Sequence, residues 1–261
     1  MRFGQDVRVA ILSQRSLALW FLGFPHAALV DAKRAVHEAR EIGQAATLMY
    51  ALFWTNFAQL FCGRYEAASA LSEELIALAK EKKSDFWMPC GTLNQGCVSS
   101  HTDKPANTIQ MLTSGLAASQ STSSTFSQPL YLTRLAGAYA ELGQFDNASR
   151  CIGDAIAAVE ATNETMYEAE VHRIAGEIAL MSPEPDAAKA EACFERALAI
   201  ARAQKARSWE LRAATSMARL WRDQGKHDQA RDLLAPIYGW FTEGFGTADV
   251  KDAKALLEEL A

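Results

Sequence analysis

The sequence predicts an all-α protein, a superhelical solenoid of about six helix hairpins closed by a C-terminal capping helix. Three observations carry that prediction. A glycine turn recurs at a period near 40, as Leu22-Gly23-Phe24-Pro25, Cys62-Gly63-Arg64-Tyr65, Leu142-Gly143-Gln144-Phe145 and Gln224-Gly225-Lys226-His227. Five residues after each glycine stands an alanine: Ala28, Ala68, Ala148 and Ala230. Apolar residues between the turns recur at helical spacing, and no alternating run of β-branched residues is long enough for a strand.

The first unit, residues 6–43, opens on Val9, Ile11, Leu12, Leu17 and Trp20. The uncharged stretch Ile42–Gly63 runs from the end of the first unit into the second, 44–84, and is long enough to cross a bilayer. Gln44, Thr47, Asn56 and Gln59 would then lie in hydrocarbon, and the stretch sits inside the repeat, so a hairpin helix of a soluble, cytoplasmic protein is expected. The third unit, 85–124, replaces the glycine turn by Thr102-Asp103-Lys104-Pro105 and puts Thr108 in the alanine slot. Its Ser/Thr-rich segment Thr102–Gln128, with Ser119–Thr125 at its heart, reads as a loop or hinge. The fourth, 125–164, pairs the stripe Leu132, Leu135, Ala136 and Tyr139 with a second helix at Asp146–Val159. The fifth, 165–206, has the longer turn Met181-Ser182-Pro183-Glu184-Pro185 before Ala190. In the sixth, 207–246, Pro236 is expected to kink the second helix. Pro25 and Pro105 stand where second helices begin, and Pro89 and Pro129 near the start of first helices, where a missing N–H costs nothing.

The repeat region thus covers 1–246. In the remaining segment, 247–261, Val250, Ala253, Leu256, Leu257 and Leu260 form one stripe. Asp249, Lys251, Asp252, Lys254, Glu258 and Glu259 lie mainly opposite it, as befits a helix that closes an open stack. The first helix has no such polar-backed cover, which implies that something precedes residue 1.

Small residues give the packing logic. Gly96, Ala136, Gly176 and Ala218 fall near the middle of successive first helices, where a partner helix must come close, and large residues such as Tyr139, Phe145, Phe194 and Trp221 fill the intervening space. The pattern Leu135-Ala136-Gly137-Ala138-Tyr139 … Gly143-Gln144-Phe145-Asp146-Asn147-Ala148 … Ala155 resembles the tetratricopeptide repeat. The period departs from that family's usual 34 residues and implies longer helices.

Composition narrows the chemistry. The chain has 261 residues, 49% hydrophobic and 22% charged, with a formal charge of −5, so no overall field gathers nucleic acid or anionic lipid. The five cysteines, Cys62, Cys90, Cys97, Cys151 and Cys193, include no C-x-x-C pair, and His26, His37, His101, His172 and His227 fall on separate units. Gly91 to Val98 has two glycines at P-loop spacing but lacks the Lys and Ser/Thr that follow in a true P-loop. No nucleophile motif occurs. Neither an enzyme, a cofactor nor a metal is expected.

Mapped through the resemblance, first helices line the concave face of the stack. Leu17, Trp20, Phe21, Tyr50, Phe53, Trp54, Phe57 and Phe61 then occupy one end of a groove, and Arg134, Glu170, Arg173, Glu177, Arg212, Arg219 and Arg222 the other. Apolar anchors and guanidinium forks suit a protein or peptide partner that carries carboxylates. The alternative is that the aromatics are core and that the arginines pair with Glu170, Glu177 and Glu210.

Three segments carry a second resemblance: Met166–Glu177, Ser208–Trp221 and Leu234–Phe245. They are similar to the C-terminal region of large bacterial signalling proteins, in which an AAA-type ATPase joins a tetratricopeptide-like segment to a class III adenylate/guanylate cyclase or a winged-helix regulator. The resemblance implies a non-enzymatic regulatory scaffold whose partner biases an attached ATPase and output domain. A small-ligand sensor that holds its ligand at the aromatic end of the groove and a stand-alone adaptor are the alternatives, and no membrane or direct nucleic-acid partner is expected.

Overall fold

The structure is a computed structural model that describes residues 4–121 and 126–261. Among them the chain forms thirteen α-helices and no strand. Six hairpins follow one another: α1 (Val7–Phe21) with α2 (Pro25–Ile42), α3 (Ala45–Phe61) with α4 (Tyr65–Glu81), α5 (Trp87–Thr102) with α6 (Pro105–Ser121), α7 (Gln128–Glu141) with α8 (Phe145–Thr162), α9 (Glu168–Met181) with α10 (Ala187–Ala203), and α11 (Arg207–Asp223) with α12 (His227–Gly239). Helix α13 (Ala248–Glu259) ends the chain. The helices gather into two compact units, Met1–Trp20 with Phe24–Phe126, and Phe21–Gly23 with Ser127–Ala261.

Within each hairpin a small residue admits the partner helix. Ala28, Ala68, Ala148, Ala190 and Ala230 are all fully buried. In the third hairpin Thr108 takes that slot, also fully buried, and its hydroxyl lies 3.0 Å from that of Ser99, so the extra oxygen is satisfied inside the hairpin. First helices contribute their own gaps. A Cβ on Gly96 would stand 2.6 Å from Leu112, and one on Gly115 would stand 2.7 Å from Leu93, so α5 and α6 interlock reciprocally. Gly176 likewise receives the ring of Phe194, 2.5 Å from where its Cβ would be.

This interlock corrects the expected loop. Residues Pro105–Ser121 are helical, including Ser119–Ser121, because Leu112 and the Gly115 slot fix the segment against α5 more strongly than serine and threonine resist a helix. Residues 122–125 of that segment, and with them the expected junction of the third and fourth units, lie outside the described residues.

Polar groups in and around the uncharged stretch Ile42–Gly63 are absorbed by the hairpins. Asn56 donates to the Ala68 carbonyl (2.6 Å) and to Ser72 Oγ (2.9 Å), and Asn94 donates to the Phe53 carbonyl (3.1 Å). No helix among the described residues is long and apolar enough to cross a membrane. At the far end, Val250, Ala253 and Leu256 of α13, with Leu260 just after it, bury against Leu211, Ala214, Leu234 and Ile237, covering the apolar face that the last hairpin would leave open. Helix α12 carries Pro236 in its final turn and stops at Gly239.

Two glycines separate close packing from mere helix propensity. Gly176→Ala is expected to destabilise the chain by about 1–3 kcal/mol, because the Phe194 ring has no room to retreat. Gly137→Ala, whose Cβ would meet nothing within 4 Å, is expected to stabilise it by up to about 1 kcal/mol through propensity alone. Urea midpoints of the two variants check the contrast, and equal shifts would remove the close-approach explanation.

Candidate functional site

Two sets of residues were expected to form a groove: the charged set lies in the second unit, and the aromatic set lies in the first except Phe21, which falls in the second with the rings of Tyr167 and Trp209 at 6.3 and 5.9 Å. In the first unit, helix α3 presents Tyr50, Phe53, Trp54, Phe57 and Phe61 at helical spacing. Trp20 of α1 meets Phe61 with ring centroids 4.5 Å apart, Phe53 meets Phe57 at 5.4 Å, and Trp87 of α5 meets Phe53 at 5.7 Å. Trp20, Phe53 and Phe57 are at most 1% exposed, and Trp54 is 8% exposed with Phe126 edge-on to it. These rings are spent on one another and join the first helices of three successive hairpins. Tyr50 remains half-buried, and its hydroxyl accepts a hydrogen bond from Gln14 (2.9 Å).

In the second unit the first-helix face is a charge cluster centred on Glu170. Its carboxylate is 1% exposed and receives Arg173 on both oxygens, at 2.7 and 3.0 Å. Arg134 of α7 and Arg212 of α11 each approach the same carboxylate at 3.5 Å. Arg173 also bonds Glu177 (3.1 Å), and Ser216 donates to Glu177 at 2.5 Å. Arg212 reaches Asp249 of α13 at 2.9 Å and lies over the Trp209 ring at 5.0 Å. Arg219, 45% exposed along its side chain, pairs with Asp252 at 3.4 Å. Four helices are therefore bound through one carboxylate and its guanidinium neighbours.

The electrostatics follow from that crowding. Burial alone would push the Glu170 carboxyl up, but the charge and hydrogen bonds of Arg173, with Arg212 and Arg134 behind it, outweigh burial and hold it at about 2. Asp249 is the converse: burial raises its carboxyl more than Arg212 lowers it. The guanidinium of Arg173, desolvated but enclosed by Glu170 and Glu177, is held more firmly protonated than usual.

Residue by residue, Arg134, Glu170, Arg173, Glu177 and Arg212 are brought together, with Arg219 at the edge; Glu210 stands apart, paired with Arg202 and Arg207. Ser216 and Asp249 were not foreseen. Asp249 belongs to the charged side of the α13 sequence pattern, yet its side chain is only 18% exposed. Its position one residue before Val250 and four before Ala253, both buried, was the available signal. No group of three His, Cys, Asp or Glu among the described residues could hold a metal ion, and burial pushes the Cys90 thiol up to about 12.

No protein-family model matches the chain. Over 218 residues it is 24% identical to the uncharacterized protein R02095 of Rhizobium meliloti (strain 1021); the match covers 83% of this chain and 21% of that protein, so the chain spans about a fifth of that relative's length. Among solved structures, it resembles the apo form of RapI (TM-score 0.64, 13% identity, 98% of this chain and 86% of the other). It also resembles the Rap conjugation gene regulator of plasmid pLS20 bound to the Phr* peptide (TM-score 0.67, 11% identity, 97% and 63%). A third is NprR with its cognate peptide NprX (TM-score 0.59, 13% identity, 97% and 72%). At such identities the likeness establishes a tetratricopeptide-like helical solenoid.

These neighbours overturn the expected membership among ATPase-containing cyclase and winged-helix fusions; the chain resembles Rap and NprR regulators instead, and neither the cyclase family nor an attached ATPase partner is supported. The three marker segments have a packing role that explains their distinctive look. Tyr167, Trp209, Leu234 and Phe241 are all buried, and Trp209 donates to the Met166 carbonyl at 2.8 Å.

Removing the central carboxylate tests the cluster. Glu170→Gln is expected to cost about 3–5 kcal/mol at neutral pH, since three buried guanidinium groups lose their common partner. The folded carboxyl lies below its ordinary value of 4.5, so its contribution is complete above that value and is lost as the pH falls toward about 2. Thermal melts of the parent should fall steeply across that window, and those of Glu170→Gln less so. Parallel pH profiles would show that the cluster does not hold the unit together.

Proposed function

We propose that the chain is a non-enzymatic, regulatory interaction scaffold that captures a carboxylate-bearing peptide or protein segment on the α7–α9–α11 face. The observation that carries this reading is the arginine row fixed around Glu170. Three guanidinium groups are oriented before any partner arrives, which removes the cost of ordering long side chains on binding. The fold likeness to regulators solved with the Phr* and NprX peptides supports the same reading.

The site has a graded entrance. Arg219 and Asp252 are exposed, Glu177 is 35% exposed along its side chain, and Glu170 is closed off. A partner carboxylate would exchange with Asp252 on Arg219 first and then compete with Glu177 for Arg173, leaving Glu170 in place. Binding by ion-pair exchange alters the ties between α9, α11 and α13, and so favours one arrangement of these helices over another.

The experiment is selection of a displayed library of random linear peptides on the folded chain. Retained sequences should carry carboxylates, and Arg219→Glu should weaken their binding at least about tenfold without shifting the melting temperature. Arg173→Glu and Arg212→Glu are unsuitable as functional controls, because each would place a second carboxylate against Glu170 and is expected to lower the melting temperature. Peptides that bind the Arg219→Glu variant equally well would overturn the reading.

A small-ligand reading has one observation in its favour, an open cleft of about 340 Å³ in the second unit bordered by Phe145, Ile152, Ile178, Asp186 and Lys189. A metabolite that raises the melting temperature saturably, with no peptide present, would favour it.

A further inference from the structure

A channel of about 460 Å³ runs between α2 and α4, the second helices of the first two hairpins. Small residues, Ala32, Ala67 and Ala70, are among those that line it and leave space between the two helices. Leu29, Val30 and Leu71 form apolar walls, and Val30 is 52% exposed. Every charged or titratable residue that borders the channel is basic: His26, Lys33, Arg40 and Arg64. That is notable in a chain whose formal charge is −5.

The charges are ordered along the channel. The two helices start side by side, with Cys62 Sγ 3.8 Å from the Pro25 carbonyl, and farther along Arg40 of α2 is bound to Glu74 of α4 at 2.5 Å. Arg40 is thus neutralised at the far end. At the near end His26 follows the first residue of α2, Arg64 precedes the first residue of α4, and the positive ends of both helix dipoles add to them. Lys33 stands between. Neither Lys33 nor Arg64 has an ion-pair partner among the described residues.

We propose that this channel is a second docking surface, fitted to an amphipathic helix of another protein whose apolar stripe is flanked by carboxylates concentrated toward one end. An apolar bed with a few spaced cations matches a helix that presents apolar residues at every third or fourth position between acids. A nucleic acid would find too little charge density and no use for Val30 and Leu71, and an anionic lipid surface would use the cations but not the apolar residues set between the two helices. The surface lies in a different unit from the Glu170 cluster and stands independently of the function proposed for that cluster.

The test is a displayed library of amphipathic helices with a fixed apolar stripe and flanks drawn from Glu, Gln and Lys, selected on the intact chain. Retained helices should be enriched in Glu over Lys at the flanks, with the acids gathered at one end. Lys33→Glu with Arg64→Glu should weaken the best of them at least about tenfold, and Val30→Asp should do the same, while circular-dichroism melts stay unchanged because all three side chains are exposed. Arg219→Glu should leave this binding intact, and a loss there would mean that the surface is not separate. Three results would overturn the proposal: flanks without acidic bias, equal binding to the double variant, or no retained helix. So would vesicles of phosphatidylcholine and phosphatidylglycerol, or duplex DNA, whose binding alone is lost in the double variant.

Discussion

Every hairpin of this chain depends on two helices coming closer than ordinary side chains permit. None of these helices can bury its apolar face alone, and dispersion gains fall off steeply with a gap of even half an ångström. The fully buried alanines and the Gly96, Gly115 and Gly176 gaps set the spacing, and larger residues such as Leu112 and Phe194 then fill it. Once the spacing is set, the rest of the architecture is stacking. The first unit stacks its first helices through rings, and the second stacks them through charge.

That difference matters for what each face can do. Rings interlock without regard to ionic conditions and leave little that a partner can displace. Charged side chains on α7, α9, α11 and α13 form directional bonds, which are satisfied in a few discrete arrangements rather than a continuum. Glu170 cannot leave water cheaply, so it is a poor source of net stability, but its removal of alternatives fixes which guanidinium faces which carboxylate. A face built in this way is ordered at its centre and exposed at its edge, where Arg219 and Asp252 lie.

The fold was legible because its signal is written in short turns and small residues, which report local geometry. Gly23, Gly63, Gly143 and Gly225 all adopt left-handed backbone conformations, as the glycine turns required. The turns between hairpins were harder to see, since Lys83, Asn163 and Lys205 adopt the same conformation with no glycine to mark them. The α6 segment misled for another reason: its serines and threonines describe local preference, whereas the Leu93–Gly115 and Gly96–Leu112 pairs that decide the matter are long-range. At the site, the arginines and their register were visible, but Asp249 was not, because its partner Arg212 lies 37 residues away. Sequence spacing cannot announce a bond between a capping helix and a hairpin that precedes it. The marker segments misled in the opposite way, since distinctive buried aromatics describe packing and not what a chain is joined to.

The division between rings and charges also divides the tryptophans. Trp20, Trp54 and Trp87 sit among other aromatic rings in the first unit. In the second, Trp209 and Trp240 lie beneath the guanidinium groups of Arg212 and Arg207, and Trp221 donates to a Glu191 carboxylate oxygen. An indole's excited state carries a larger dipole than its ground state, so neighbouring charge shifts its emission where neighbouring hydrocarbon does not. The chain thus contains two sets of intrinsic fluorophores, one among other rings and one beside charged groups, and within the second set Trp209 reports on the Glu170 cluster through Arg212.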